Sequence, residues 1–574
     1  YVDAVSGSRN GAGTQSSPFS LLSHAIKRAI PGDTVFIGQG VHVGTSHLRS
    51  GEEGKPITLA AWGDAKPVLT TTVASKGTWE LYEGDIYSLD VSPFVHLMDE
   101  FNPQVFLEGE ALVEARYPNM GPYLEDLMDY RRAVAQKGTD RNTLVAPDDL
   151  PGGLEGALAV VWPGTNGLAG WVAWTSPVLS VDGRTIRLEK TLNQEETVTG
   201  GDAYTPYPGN PFYLKGALSL LDAPGEYHYD RENRTLYLYL PGGGDPNSRD
   251  IRFRGANSAA IEADGKSHIH LKGLTFLGCG IRMSASNHIV MEDCTVRYAD
   301  HFQGTGYASY ALRSHMILVG DHNTIRRCAF GPTAGSGIIL GGRDVLFTDC
   351  IIRNSNGSGN DFSSLKLLES ADLVISHSTF RGTSSNHIGF EPGKTFGKCI
   401  VEYNHFMDHA TLNSDMGAVS SWSTDGGKSE IRYNLVETGN RNDNGTMMKL
   451  TIGLYIDNYC SNFLVHHNIV IGGEGGLQTN LPNPGTIFAN NTVIGAKHGY
   501  GLFSVSKDNA DGRGVSFVNN LFADLKGLDI SYYGTEDGIS RSYLGNLADG
   551  SVPVPVNPDR RITSSHNLRG EVGA

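Results

Sequence analysis

With 574 residues, a formal charge of −16 and charged side chains at only 19%, the chain is too acidic to read as a nucleic-acid binder, because phosphate contacts reward clustered Lys and Arg. No apolar run approaches the roughly 18 residues of a membrane span, and 39% hydrophobic residues can fill a large core, which excludes disorder. Gly supplies 72 residues, well above the usual ~7%, the first sign that one long, turn-rich repeat replaces several domains.

The chain begins at Tyr1 rather than Met. We read this as a mature N-terminus left by signal-peptide removal, so a secreted, extracellular or periplasmic protein is expected. Ser17-Pro18 reads as an N-cap followed by Pro at the first helical position. Leu21, Leu22, Ala25, Ile26 and Ala29 form the apolar stripe of that helix, and Pro31-Gly32-Asp33 stops it. Thr34 to Ile37 is the first strand. A helix here would cap the open end of a strand-built core, which is otherwise an aggregation-prone edge. Residues 78–250 break the rhythm of the rest. They are richer in Trp, Tyr and Pro, with candidate strands at Gln104–Leu107, Leu158–Val161, Thr185–Leu188 and Thr235–Leu240, and they read as an inserted β-rich, sandwich-like domain.

From about 250 onward one short pattern recurs: IVMEDCTV, TIRRCAF, VLFTDCII, LVISHSTF, CIVEYNHF, EIRYNLV, FLVHHNIV, IFANNTV and SFVNNLF. Each is a β-branched alternating strand, a small or polar pivot and a second short strand. The pivots are Cys294, Cys328, Cys350, Ser378, Asn404, Asn434, Asn468, Asn491 and Asn520. Short strands and Gly-rich turns repeating in coils of this size predict an all-β fold, a right-handed parallel β-helix, in which each coil adds one rung to each sheet. Three parts follow: 1–77 with the cap and first coils, the insert at 78–250, and the main helix at 251–574. The pivot column predicts a side-chain ladder, so Cys294, Cys328 and Cys350 read as small buried residues rather than metal ligands or catalytic thiols. The glycines are expected at coil turns, where φ > 0.

The opening segment and the stretches QVFLEGEALVEARYPN and LDAPGEYHYDRENRTLYLYLPGG resemble secreted β-helix glycosidases. Asp415-Met416-Gly417-Ala418-Val419 resembles the D-x-G-A-I element of glycoside hydrolase family 141, and Gly453-Leu454-Tyr455-Ile456-Asp457 resembles its G-I-Y-L-D element. Known members act on fucosides or xylan, and the resemblance implies that Asp415 and Asp457 are the catalytic pair. Family 120 β-xylosidases are the runner-up. Their second carboxylate falls on Asn480 in this chain, and Asn458 stands where the common ending has a second Asp.

Glycoside hydrolysis needs two carboxylates flanking the bond, one an acid of raised pKa and the other a nucleophile or base. By position relative to the ladder, Glu391, Asp425 and Asp457 form an acidic stack over three coils, and stacked carboxylates raise one another's pKa. Glu391 and Asp425 are therefore the substitutes for Asp415. His387, Trp422, Tyr455, Tyr459 and Gln478 are candidate sugar contacts. The bland alternative is a solvated acidic stripe, or turn carboxylates that bind a structural Ca²⁺; hydrolysis itself requires no cofactor and no metal. The expected reading is a secreted glycoside hydrolase acting as a monomer on a plant or algal polysaccharide or its oligosaccharides, with neither nucleic acid nor membrane as partner. A polysaccharide lyase using Lys366, Lys394, Arg441 or Lys449 as base, with a cation on the uronate, is the competing reading, and a non-catalytic glycan-binding β-helix is the third.

Overall fold

The computed structural model describes residues 1–97, 103–121, 127, 130–164, 170–189, 205–254, 258–302, 315–439, 450–504, 514–526, 530–536, 539–545, 563–565 and 568–570. Arg441 and Lys449 lie outside the described residues.

The protein is a right-handed parallel β-helix built from three sheets, each with 13 strands among the described residues and each running through the coils in chain order. Three successive coils illustrate the construction. The first comprises strands Ile400–Glu402, His405–Met407 and Met416–Ser421. The second comprises Asp425–Arg432, Leu435–Thr438 and Thr451–Ile456, and the third Ser461–His466, Ile469–Gly472 and Gly475–Asn480. In-register pairing aligns Val401, Ile431 and Val465 on one sheet, Phe406, Val436 and Val470 on the next, and Val419, Leu454 and Leu477 on the last. All nine side chains are buried in one continuous core. No coil could shield such a face alone, so burial of this apolar column is what stacks the coils.

The pivot ladder forms. The Asn434 carboxamide oxygen accepts from the Asn404 backbone N–H at 3.0 Å, and its Nδ2 donates to the Val401 carbonyl at 2.9 Å and to Asn468 Oδ1 at 3.0 Å. Asn468, Asn491 and Asn520 continue the pattern, and the Ser378 hydroxyl and Cys350 thiol extend it backward. Cys294, Cys328 and Cys350 are buried free thiols in this column. The bend ahead of each pivot is left-handed, but glycine does not make it. Asp293, Arg327, Asp349, His377, Tyr403, Tyr433, His467, Asn490 and Asn519 all hold φ between 49° and 55° there. The cost of that conformation is of order 1–2 kcal/mol per residue, and stacking offsets part of it: His377, Tyr403, Tyr433 and His467 pack ring on ring at 5.2–5.3 Å.

At the N-terminus the helix spans Leu22–Arg28 and buries Leu22, Ala25 and Ile26 against the first coil. It starts later than the Ser17-Pro18 signal implies. Ser17 Oγ instead accepts from the Ala12 N–H at 3.1 Å, closing a turn, and Leu21 occupies the cap position without a side-chain bond.

Between Val73 and Arg254 the strands are mostly antiparallel and form three further sheets. One apolar cluster, with Val105, Leu107, Tyr227, Leu236 and Phe253, lies between two of these sheets, and a second, with Val161, Trp174, Phe212 and Leu214, fills the next layer. This unit seats on the β-helix at residues 356–362 and 410–414. Trp162 Nε1 donates to Asn413 Oδ1 at 2.8 Å, and the Ala173 N–H donates to the Gly359 carbonyl at 2.8 Å. Gly359 is required: a Cβ there would lie 2.5 Å from the Trp162 ring.

Asn434→Ala removes a fully used buried carboxamide and strands several backbone groups of the adjoining coils. We expect a loss of about 3 kcal/mol, read as a lower midpoint in chemical denaturation. Substitution of exposed Trp62 to Ala, far from the ladder, serves as the control that moves little.

Candidate active site

The third sheet carries the site on its outer face. Strand parity decides which side chains reach it. In Thr451–Ile456, Leu454 and Ile456 enter the core, so Tyr455 and, one step past the strand, Asp457 face outward. In Gly475–Asn480, Leu477 enters the core, and Gln478 and Asn480 face outward beside them. The register pairs Tyr455 with Gln478 and Ile456 with Thr479, which sets Asn480 opposite Asp457.

Asp415 comes from the preceding coil, just before strand Met416–Ser421, with a left-handed φ of 60°. Gly417 lets Tyr455 lie close over this strand, since a Cβ there would approach Tyr455 Cβ to 2.6 Å. The Tyr455 hydroxyl donates to Asp415 Oδ1 at 3.0 Å. Asn480 Nδ2 donates to Asp457 Oδ1 at 2.6 Å and to the Tyr455 hydroxyl at 2.5 Å, and the Asn458 N–H gives Asp457 Oδ1 a second bond at 2.6 Å. The links of 3.0, 2.5 and 2.6 Å place the two carboxylate oxygens no more than about 8 Å apart, below the roughly 9.5 Å upper limit for glycosidic carboxylate pairs.

A third acid joins them that sequence reasoning missed. Asp361 lies in the loop between strands Ile351–Ser355 and Leu365–Ala371. Its neighbour Asn360 accepts from Asn413 Nδ2 at 3.1 Å, two residues before Asp415. Asp361, Asp415 and Asp457 all keep solvent-accessible surface yet are ringed by protein, as groups on a cleft floor are. Desolvation therefore disfavours their charged forms. Burial pushes Asp457 up to about 7, and the charge of Asp415 adds to the rise. Burial pushes Asp415 up to about 6, opposed by the Tyr455 hydrogen bond and assisted by Asp361. Asp361 is raised by burial as well, with Lys366 pulling the other way.

The remaining expected site residues divide. Trp422, 38% exposed, and Glu391 lie on the same outer edge as Asp457, on successive coils, since Gly389 pairs with Ser420 and Ser421 with Ile456. Tyr459 is 49% exposed just beyond Asp457 and is placed to meet a ligand. His387 is not: it has no exposed surface, packs among Phe380, Phe406 and His409, and bonds the Met407 carbonyl at 2.7 Å. Burial holds it near 3, so it is a neutral core residue. Tyr455 is only 1% exposed, so its ring offers no face to a sugar and its hydroxyl serves as a bridge. Gln478, at 8% exposure, donates to Asn480 Oδ1 at 3.1 Å and is likewise covered. The acidic stack through Asp425 does not form. Asp425 opens a strand of a different sheet, where Asn462 Nδ2 and the Gly427 N–H bond its Oδ1 and its pKa lies below the ordinary value. Unequal turn lengths defeat counting back from the ladder. Of the basic residues, Lys394 pairs with Glu369 at 3.6 Å and Lys366 lies beside Asp361. No cluster of three or more His, Cys, Asp or Glu with metal-holding geometry occurs among the described residues. No helix among them is long and apolar enough to cross a membrane.

Comparison with known proteins agrees with this architecture. A family model for right-handed β-helix regions matches residues 259–434. No curated protein matches the chain. Among solved structures, the chain is similar to one described as a glycoside hydrolase, with 16% identity over 90% of this chain and 96% of that one and a TM-score of 0.62. XylC in complex with xylose is similar at 13% identity, 93% and 71% coverage and a TM-score of 0.37. A GH136 lacto-N-biosidase from Eubacterium ramulus is similar at 10% identity, 93% and 66% coverage and a TM-score of 0.35. At 90% coverage the first likeness takes in the inserted sheets as well as the coils, and it shows a β-helix fold like that of glycoside hydrolases.

The raised Asp457 carboxyl has a consequence for stability. Its folded pKa of about 7 exceeds the ordinary unfolded value near 3.9, so the folded state holds an extra proton between these limits. Stability from this group is full below about pH 4 and declines as pH rises toward 7. Asp457→Asn therefore raises the unfolding midpoint at pH 8, by roughly 1–3 kcal/mol after allowance for partial solvent exposure, and leaves it unchanged at pH 4. Denaturation at both pH values checks the sign.

Proposed function

We propose that the protein is a glycoside hydrolase that cleaves a neutral glycan, a plant or algal polysaccharide or its oligosaccharides, with Asp457 as general acid and Asp415 as base or nucleophile. The observation that carries this reading is the bridged pair itself: two carboxylates on adjacent coils, joined through Tyr455 and Asn480, with pKa values raised to different extents. Both carboxyls are raised by burial and Asp415 raises Asp457 further, so near neutral pH the pair can hold one proton. That is the division of labour a glycosidic bond needs, because the leaving oxygen must be protonated while the anomeric carbon meets a charged carboxylate or the water it activates.

Surrounding residues support the substrate class. A uronate-bearing polymer would bring its carboxylates toward Asp361, Asp415, Asp457 and Glu391, whereas a neutral sugar meets no such repulsion. Trp422 and Tyr459 offer exposed rings beside Asp457, suited to the apolar face of a pyranose. Trp162 and the Trp171 backbone are held against the coil by Asn413, which seats the inserted sheets on the Asp361 side. The coil-borne pair sits immediately at the ends of two paired strands, Met416–Ser421 and Thr451–Ile456, and this support keeps its geometry through turnover.

A panel of neutral and uronate glycans, scored for new reducing ends and for unsaturated-uronate absorbance, tests the class. Reducing ends without unsaturated products are expected, and unsaturated products would overturn the hydrolase reading. Asp457→Asn and Asp415→Asn should each lower kcat/KM by at least about 10³-fold, the scale of a lost acid, base or nucleophile, with the fold intact by circular dichroism. The wild-type rate should rise as Asp415 ionises through about pH 6 and fall as Asp457 ionises through about pH 7. Asp361→Asn removes a negative neighbour from Asp415, so the acidic limb alone should move to lower pH.

A further inference from the structure

Two acids that share a cleft need side chains that fix which of their oxygens is open to a proton. Here the candidates are side chains that never reach the substrate. Gln478 and Asn480 face outward two residues apart on one strand, and Tyr455 and Asp457 do the same on the next, making a two-by-two block. Every hydrogen bond in the block runs one way. Gln478 Nε2 donates to Asn480 Oδ1, and this fixes the amide with its NH₂ group toward Asp457 and Tyr455. A reversed amide would set its oxygen against an Asp457 oxygen at 2.6 Å, a repulsive contact unless the proton sat there. Having accepted from Asn480, the Tyr455 hydroxyl has a single hydrogen left, and it goes to Asp415 Oδ1. Asp457 Oδ1 already takes two donors, Asn458 N–H and Asn480 Nδ2, so a proton on Asp457 is displaced to Oδ2.

We propose that Gln478, Asn480 and Tyr455 are positioning residues, a one-way hydrogen-bond relay that orients both carboxyls, leaves Asp457 Oδ2 as the oxygen open to a proton and gives each carboxylate a donor that favours its charged form. The role in catalysis rests on the hydrolase reading given above; the relay itself does not. Other charged or titratable groups face the pair as well. Asp361 acts on Asp415 from the loop before Leu365–Ala371, with Lys366 beside it. Cys460 lies behind Asp457, and Glu391 lies two coils away along the same edge. None of these donates a hydrogen bond to either carboxylate among the described contacts, so the side-chain hydrogen bonds that orient the pair come from the relay.

The test is a pH titration of the two carboxyls in the full chain, by NMR of ¹³C-carboxyl aspartate, assigned with Asp415→Asn and Asp457→Asn. Tyr455→Phe keeps the ring and removes one hydrogen. It should raise the proton affinity of Asp415 about tenfold, the scale of one hydrogen bond to a charged group, and leave the fold's melting temperature nearly unchanged. Asn480→Ala should raise the proton affinity of Asp457 instead. If both variants leave both midpoints in place, the relay is overturned, whatever the glycan assay shows. Shifted midpoints in a protein that cleaves no glycan would overturn the hydrolase reading and leave the relay standing. In an active enzyme, Tyr455→Phe should move the acidic limb of kcat/KM upward with little change in KM. If Asn480→Ala does not fold, Tyr455→Phe alone decides the matter.

Discussion

The strict in-and-out alternation of side chains along strands stacked about 4.8 Å apart governs everything else in this molecule. One parity makes the column of Val, Ile, Leu and Phe that holds the coils together. The other parity lines residues up on the outside, where sequence neighbours separate and residues one coil apart meet. A slip of one residue in Thr451–Ile456 would turn Ile456 outward and drive Asp457 into the apolar core. The carboxamide ladder guards against that slip, because each Asn bonds specific backbone groups on the coils before and after it. Core, ladder and site are thus three consequences of one register.

The same register lets the fold tolerate a site that works against it. Carboxyls raised toward neutrality are charges the surrounding protein disfavours, and three of them meet in one cleft. Left-handed backbone at Asp415 and Tyr459 adds local strain on either side of the pair. Such features persist where the neighbouring structure over-determines them. Here Asp415 and Asp457 flank strands whose inward residues are fully buried, and Asn386 and Asn483 tie the backbone beside them to adjoining coils.

How far this was legible in the sequence follows from the same physics. The coil strands and the pivot ladder could be read directly, because each repeats a local pattern. Asp415 and Asp457 were legible through motif resemblance, and parity confirms that Asp457 faces out. Parity alone does not set burial. Tyr455 faces outward by parity yet is 1% exposed, covered where it lies close over Gly417, so its burial could not be counted from sequence. His387 reads as polar, yet a neutral imidazole fits between Phe380 and Phe406 once both nitrogens find partners, Ser364 and Met407. Asp361 carries no motif and lies in a loop between strands Ile351–Ser355 and Leu365–Ala371. Only the seating of Trp162 on Gly359 places it in the cleft, a contact between residues 197 positions apart.

That seating gives the inserted sheets a role beyond bulk. Asn413 uses its whole carboxamide to hold them: its oxygen accepts from Trp162, and its NH₂ group donates to the Trp171 and Asn360 carbonyls. One side chain therefore ties the insert, the loop of Asp361 and the strand entry of Asp415 together. An apolar contact could have supplied comparable adhesion, but it would have left the loop free to slide. Directional bonds to three separate segments specify position as well as attachment. The charge that Asp361 exerts on Asp415 depends on their separation, so docking of the insert and the proton balance of the acid pair are mechanically linked. The insert thus takes part in the geometry of the acid pair through Asn413 and the loop of Asp361.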